Sequence, residues 1–427
     1  DYYRGNLSFD EPITDSLSLS MGATYSHESN VSNRKGYRFN DVTGGFTDIF
    51  SELTNYMRAR TSKVTPYSSI RLSKKKFNFT TSLGTVILNN YNFGQYMGST
   101  YAVSKDYMLP WANAYANLRL SKSQYIYASY SFEVDMPSAE QLLPIADLSS
   151  PLITTIGNEN LGPNKTHNIY VGMSDYDYAT RSGYSIYGGA NFYENKTVSF
   201  TDIDNSAKQT VRYGNITETF DMWAGANWSK QIKTEGASRY GIKLSVWGSH
   251  AFDKGITNGL TYEARQYSIG PKIGFTYDYG ELLSINPIYS FDYNETHFTN
   301  YDADFTSYFV HKAGIQTTSF WPKHIVFGND FTYTYNSNLG DGFKKDFFLW
   351  NTSLGYNFLN DKMTFKVKVY DLLNQNLGTS RSISPTSITD NQNTVLKRYV
   401  MFSLSVKLDS FGKKKKNNDS DNRFWSF

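Results

Sequence analysis

A period of two recurs along this chain and is cleanest near its C-terminus. In Arg398–Leu408, Val400, Phe402, Leu404, Val406 and Leu408 fall on one face of an extended strand, while Ser403, Ser405 and Lys407 fall on the other. Such segments are long and no helical period separates them, which restricts the chain to an all-β fold. Two solvents suit it: a half-wet sheet over a soluble core, or a wall with lipid on its apolar face and a wet lumen on its polar face.

Strand length favours lipid. Leu17, Leu19, Met21, Ala23 and Tyr25 alternate with small polar residues. Segments 54–73 and 76–92 run away from the turn Ser73–Lys76, and 110–121 and 124–134 form the next pair. Further strands are expected over 166–177, 184–201, 208–231, 238–251, 259–278, 282–298, 306–320, 323–337, 345–358, 362–374 and 395–409. With an opening strand at 2–12 the total is roughly seventeen, and many exceed the usual globular length of about 3–10 residues. A tilted membrane crossing takes about 9–11, so the excess projects beyond the bilayer. Short connections near 73–76, 121–123, 280–281, 322–323 and 360–361 alternate with longer ones at 27–53, 93–105, 135–165, 299–305, 337–344 and 376–394. That asymmetry predicts periplasmic turns on one side and outside loops on the other. Trp111, Trp228, Trp247, Trp321 and Trp350 stand near strand ends and fit interfacial girdles. A soluble sandwich or β-helix also alternates, but no fixed short repeat is present.

No stretch offers the about 18–20 consecutive apolar residues of a membrane helix. A mean hydropathy of -0.51 is compatible with a barrel, whose lumen and loops are polar. The absence of cysteine removes disulfide scaffolds and thiolate metal sites. A net charge of +3, from 42 basic and 39 acidic side chains, gives no broad field for nucleic acid. Asp1 is not an initiator methionine and no signal peptide precedes it, which points to processing or to a piece of a longer chain.

Four stretches together resemble the C-terminal barrel of Bacteroidetes-type TonB-dependent outer-membrane receptors. They are Tyr130–Pro144 with Asp147–Leu152, Gly157–Pro163 leading into Asn168–Tyr170, Val369–Asn376, and the closing strand 398–409. The resemblance spans residues 1–411 and implies a transmembrane antiparallel β-barrel, the last 16–17 strands of a roughly 22-stranded one. It further implies an N-terminal plug, a periplasmic energy-coupling protein engaged through a missing N-terminal region, and import of a bulky solute across a Gram-negative outer membrane. Read physically, Pro137, Pro144, Pro151 and Pro163 remove backbone donors and make 137–163 an ordered external loop. Asp371 and Asn374, near a strand end, suit bonds to turn amides better than transport chemistry.

Chemistry is sparse. His27, His167, His250, His297, His311 and His324 are scattered, without metal-binding spacing, and no Gly-x-Ser-x-Gly elbow occurs. No enzyme, cofactor or metal site is expected. Asn117, Arg119, Lys366 and Lys368 alternate with apolar residues and are expected to line the lumen. Tyr37, Phe39, Tyr91, Phe93, Tyr96, Tyr301 and Phe305 are the expected ligand-facing loop aromatics, able to stack on sugars, aromatic chelates or peptide side chains. Residues 412–427 read as a periplasmic tail, four lysines followed by a polar run and Arg423–Phe427. Phe424, Trp425 and Phe427 suit docking to a partner, such as a surface lipoprotein or periplasmic protein, and motivate a second reading as a structural subunit of an outer-membrane or surface assembly.

Overall fold

The computed structural model describes residues 1–300, 305–360, 362–384 and 387–407. The chain begins with β1 (Tyr2–Thr14) and β2 (Leu17–Arg34), then a small hairpin of β3 (Tyr37–Asn40) and β4 (Gly45–Ile49). It returns through β5 (Asn55–Ser73), β6 (Phe77–Tyr96), β7 (Ser99–Arg119) and β8 (Tyr125–Asp135). A short helix α1 (Ala139–Leu142) and two brief strands, β9 (Ala146–Asp147) and β10 (Ile153–Ile156), lead to β11 (Asn164–Asp177) and β12 (Ser182–Glu194). An arm follows, made of β13 (Lys196–Ile203) and β14 (Gln209–Ile216). Next come β15 (Thr219–Lys233), β16 (Ser238–Thr257), β17 (Leu260–Tyr279), β18 (Leu283–Phe298) and β19 (Phe305–Ser319). The chain ends its described part with β20 (Ile325–Asn336), β21 (Asp346–Phe358), β22 (Met363–Tyr370), the hairpin β23 (Thr379–Ser384) and β24 (Ser387–Gln392), and β25 (Tyr399–Val406).

Seventeen of these strands form one wall, each paired antiparallel with the next: β1, β2, β5 to β8, β11, β12, β15 to β22, and β25. Among the described residues β1 and β25 pair with each other nowhere. Directly opposed residues share a face, so the register carries parity from strand to strand across the wall. Val400, Phe402 and Leu404 stand opposite Val369, Val367 and Phe365, and that apolar face continues through Leu354, Phe327, Ile315 and Pro287. Ser403 stands opposite Lys366, and the other face continues through Gly355, Val326 and the polar residues around them.

One end of the wall carries only short turns, from 15–16 through 359–362. The other carries the β3–β4 hairpin, the α1 segment, the β13–β14 arm and the β23–β24 hairpin. The expected asymmetry therefore exists, with corrections. Segment 93–105 is no loop: β6 and β7 pair residue by residue up to Tyr96 opposite Ser99, closed by Met97 and Gly98 at φ 49° and 80°. Gly94 and Gly98 look like loop residues, yet Gly94 is a buried strand residue and Gly98 closes the two-residue turn. Segment 27–53 is largely the upper half of β2 plus the β3–β4 hairpin. The expected strands 184–201 and 208–231 each break in two, at Asn195 and at Thr217–Glu218, where Asn195 and Glu218 take positive φ.

The soluble-type core lies at the long-connection end, in a fork. β7 and β8 pair only from Arg119 opposite Tyr125 to Ala112 opposite Phe132. Above that β7 stays with β6, while β8 continues with β11. Val86, Leu88, Phe132 and Val134 fill the gap, and Leu143 and Ile145 from beyond α1 pack against Met57 and Val103. Lys63 Nζ spans the fork, donating to Val134 O at 2.7 Å and to Asp135 Oδ1 at 2.9 Å. Leu142 and Leu143 are fully buried, each worth about 1.5–3 kcal/mol. The proline-rich segment is thus ordered, as its composition predicts.

A ribbon ties this cap to the wall. β10 pairs antiparallel with β9 and parallel with β14, β14 pairs with β13, and β13 meets the tip of β16 in parallel at Phe200 opposite Ile256.

Candidate passage and binding surfaces

On the apolar face, large side chains stand bare of protein: Leu244, Val246 and Ile269 in mid-wall, and Phe402, Leu83 and Met108 elsewhere at 67, 64 and 73% exposure. No packed core explains that exposure over so many adjacent strands, whereas hydrocarbon solvent does. Two aromatic belts bound the band. Toward the short-turn end Tyr240 and Tyr277 lie 5.2 Å apart, and Phe365 and Phe402 stack at 6.3 Å. Toward the other end His250 stacks on Tyr267 at 4.3 Å beside Phe220, and His311 sits among Phe291, Phe309 and Tyr335. On β17 the belts are marked by Tyr267 and Tyr277, ten positions apart, with Ile269, Pro271, Ile273 and Phe275 between them on the same face. About 9–11 tilted residues cross a bilayer, so the spacing fits.

Five histidines expected to be scattered share this face. His27 is opposite Tyr3, His167 opposite Phe132, His250 opposite Tyr267, His297 opposite Arg265 and His311 opposite Phe291. All five lie toward the long-connection end, where an imidazole is both flat enough for the aromatic belt and polar enough for headgroups. The expectation for tryptophan is corrected in the opposite direction. Trp228 and Trp350 face outward, but Trp111 and Trp247 are mid-strand on the polar face. Parity within one strand does not say which set faces which solvent when both carry aromatics.

The polar face holds Asn117 opposite Tyr127, Arg119 opposite Tyr125, and Lys366 and Lys368 opposite Ser403 and Met401. Register places all four on one continuous surface, on β7 and β22, eleven pairings apart along the wall. Lys368 Nζ lies 4.3 Å over the Tyr370 ring. In the middle, Asp221 accepts from Asn191 Nδ2 at 2.8 Å and from the Tyr193 hydroxyl.

The expected loop aromatics do not form one group. Tyr37 and Phe39 are exposed in β3, Phe39 meeting Phe46 edge-on at 5.4 Å. Tyr91, Phe93 and Tyr96 belong to β6 rather than a loop. Tyr91 and Phe93 lie on the apolar side opposite Arg60 and Arg58, while Tyr96 turns to the other side and its hydroxyl donates to Glu52 O at 3.3 Å. Tyr301, and Phe424, Trp425 and Phe427 with the tail, fall outside the described residues. Phe305 opens β19, its backbone opposite His297.

The family-like stretches act as fasteners. Asn158 Nδ2 donates to Tyr213 O at 2.8 Å, and Gly162 N donates to Asn215 Oδ1 at 2.8 Å, pinning 157–163 to the arm. Asp147 meets Arg34 at 2.6 Å; burial pushes its carboxyl up, but the Arg34 and Ser149 hydrogen bonds outweigh this and hold it below the usual range. Asp371 is buried and accepts from Gln375 N at 2.9 Å and Asn376 N at 3.0 Å, while Asn374 Oδ1 accepts from Arg398 N at 3.3 Å. Both residues bond connection amides, the structural role their position suggests.

The model of the outer membrane protein beta-barrel family matches residues 1–245 and 254–405. No curated protein matches the chain. Among solved structures, the outer membrane transporter YddB from Escherichia coli is 10% identical, covering 95% of this chain and 75% of that one at a TM-score of 0.22. A BenF-like porin from Pseudomonas fluorescens Pf-5 is 8% identical over 92% and 98%, TM-score 0.26. The ferric-catecholate import receptor Fiu from E. coli K12 is 12% identical over 95% and 79%, TM-score 0.24.

Proposed function

The chain belongs to the outer membrane protein beta-barrel family, and from that premise we propose that it forms the wall of an energy-coupled importer of a bulky solute. Its location is the outer membrane of a Gram-negative cell, with the apolar band in lipid. The observation that carries the reading is the polar face, continuous in register over seventeen strands and backed through the mid-wall by a lipid-type face. A surface that is wet from end to end is what a passage requires.

In this reading the barrel is TonB-dependent and of the Bacteroidetes type, with 22 strands of which these are the C-terminal ones. Among the described residues β1 and β25 have no partner on their outer edges, which supports further strands, because open edges are not tolerated in hydrocarbon. A plug precedes them and takes its signal from a periplasmic energy-coupling protein. Short turns face the periplasm and the cap faces outward. The solute moves without covalent change, so no catalytic residue is assigned. Asn117, Arg119, Lys366 and Lys368 wet the passage, and Tyr37 and Phe39 stand where a solute first arrives.

Uptake by cells with and without the energy-coupling protein tests this. Import that stops without the coupling protein is expected; steady ion conductance of the purified barrel with no energiser would make it a passive porin instead. The aromatic run Arg423–Phe427 favours a second reading, a structural subunit of a surface assembly. Deleting 417–427 and comparing co-purifying proteins decides it: unchanged partners and abundance rule out docking through the tail.

A further inference from the structure

The upper half of β7 has one edge without a partner. Arg119 N donates to Lys76 O at 2.7 Å and Leu120 N to Gln124 O at 2.9 Å, so odd residues of this strand turn their backbone groups to β6 and even residues turn theirs to β8. The β6 register runs unbroken from Phe77 opposite Leu118 to Tyr96 opposite Ser99, which carries that parity to the top of β7. Pairing with β8 stops at Ala112. Pro110, the next even residue, has no donor to lose, but Met108, Asp106, Ser104, Ala102 and Thr100 each aim an N–H and a C=O at the vacated side. Among the described residues no strand pairs with that edge, whereas β5 and β6 are paired on both sides to their upper ends. Nine residues, 100–108, at about 3.3 Å each make the edge about 30 Å long.

The position of the edge narrows what can fill it. Ala112, where the fork opens, stands opposite Phe132, and Phe132 lies 4.7 Å from the His167 ring in the upper aromatic belt, so residues 100–108 continue beyond the lipid. Beside them is a crevice of about 490 Å³, lined by Tyr107 and Leu109 of β7 and by Pro163, Lys165, Glu194 and Asn195 at the upper ends of β11 and β12. A strand laid along the edge turns alternate side chains to the side of Tyr107 and Leu109, and one of them enters this crevice. Backbone bonds then supply affinity and the crevice supplies choice. An acyl chain offers nothing to the unpaired backbone groups. Two copies upright in one membrane are related by a turn about its normal, so their β7 strands descend together and cannot pair antiparallel. We propose that this edge is a strand-addition site for an extended segment of a separate polypeptide, bonded to residues 100–108 with an apolar side chain held by Tyr107, Leu109 and Pro163. The proposal makes no use of the passage and stands apart from the transport reading.

Hydrogen exchange and peptide binding on the purified full-length protein in detergent test it. In the protein alone, the amides of Ala102, Ser104, Asp106 and Met108 are expected to exchange at least tenfold faster than those of Tyr101, Val103, Lys105 and Tyr107, which bond β6. The probe is a fluorescent peptide of alternating threonine and valine with lysine ends, expected to bind saturably and to slow exchange at the even residues alone. With valine in the crevice, the threonine amides face the edge. Methylating those amides is therefore expected to weaken binding at least tenfold, while methylating the valine amides leaves it unchanged. Ser104→Pro removes one edge donor, spares the β6 ladder and is expected to weaken binding at least tenfold. Heat-dependent gel mobility reports whether that barrel has formed; should it not assemble, the two methylated peptides decide the matter on the wild type. Protection of the even amides without peptide, no saturable binding, or equal binding of the two methylated peptides overturns the proposal.

Discussion

The middle of the wall and the fork above β8 solve the burial problem in opposite ways. In β15 to β20 large apolar residues such as Leu244, Ile269 and Phe327 stand exposed to what is not protein, and parity alone decides each residue's surroundings. In the fork, Leu142, Leu143 and Leu161 are enclosed by protein as in any soluble core. The difference teaches that hydrophobicity does two jobs here, holding the wall in a membrane and holding the cap to the wall, and that substitutions should separate them.

The largest expected effect is in the cap. Leu143→Ala should weaken the cap by about 2–5 kcal/mol, through lost transfer energy and the cavity left behind. Hydrogen exchange should rise over 139–161 and stay unchanged in β17 to β20; a global rise would mean that cap and wall are one unit. Next, Leu244→Arg should destabilise the inserted wall by about 2–4 kcal/mol near the bilayer midplane. Its neighbour Ser245→Arg, on the polar face, should be tolerated. Refolding into lipid vesicles with denaturant titration measures both, and equal costs would invalidate the assignment of faces. Asp371→Asn leaves one of two connection amides without its acceptor and should cost about 0.5–1.5 kcal/mol, seen as faster exchange at Gln375 and Asn376. The smallest effect is a pH effect. Because the Asp147 carboxyl is held below its usual range, its contribution is present above the unfolded value and is lost as pH falls through the folded one. Below about pH 4 the Arg34 contact should loosen, within the about 0–1 kcal/mol of an exposed ion pair. Exchange over 146–149 that ignores this pH range would remove that pair from the account.

Much of the wall was legible because period two is a local property. Val400 and Ser403 reveal their faces within one strand, and Asp371 reveals a turn-bonding role from its place at a strand end. What was illegible depends on sums of register across connections of unequal length. His27, His167, His250, His297 and His311 read as scatter until the eleven pairings from β2 to β19 put them on one face. On the polar face Tyr127, Gly172, Tyr187 and Gly225 alternate across four successive strands, with no trace in any single one. The Met97–Gly98 turn was hidden for a different reason, since Gly94 and Gly98 look like loop residues while Gly94 packs beneath Leu143 and Ile145 of the cap. The expected ligand aromatics failed as a set because a loop assignment ignores side: Tyr91 and Tyr96 are on opposite faces of one strand.

The ribbon of β10, β14 and β13 has a mechanical consequence. It leaves the wall after β8 and rejoins it at the tip of β16, passing the upper ends of β11, β12 and β15 on the way, so backbone bonds and chain together close a circuit at the mouth. A structure tied in this manner behaves like a strap buckled at both ends. Tension applied to 146–156 reaches β16 through the arm, which is itself anchored by the chain to β12 and β15, and slackening it requires parting a ladder of backbone hydrogen bonds rather than sliding one side chain past another.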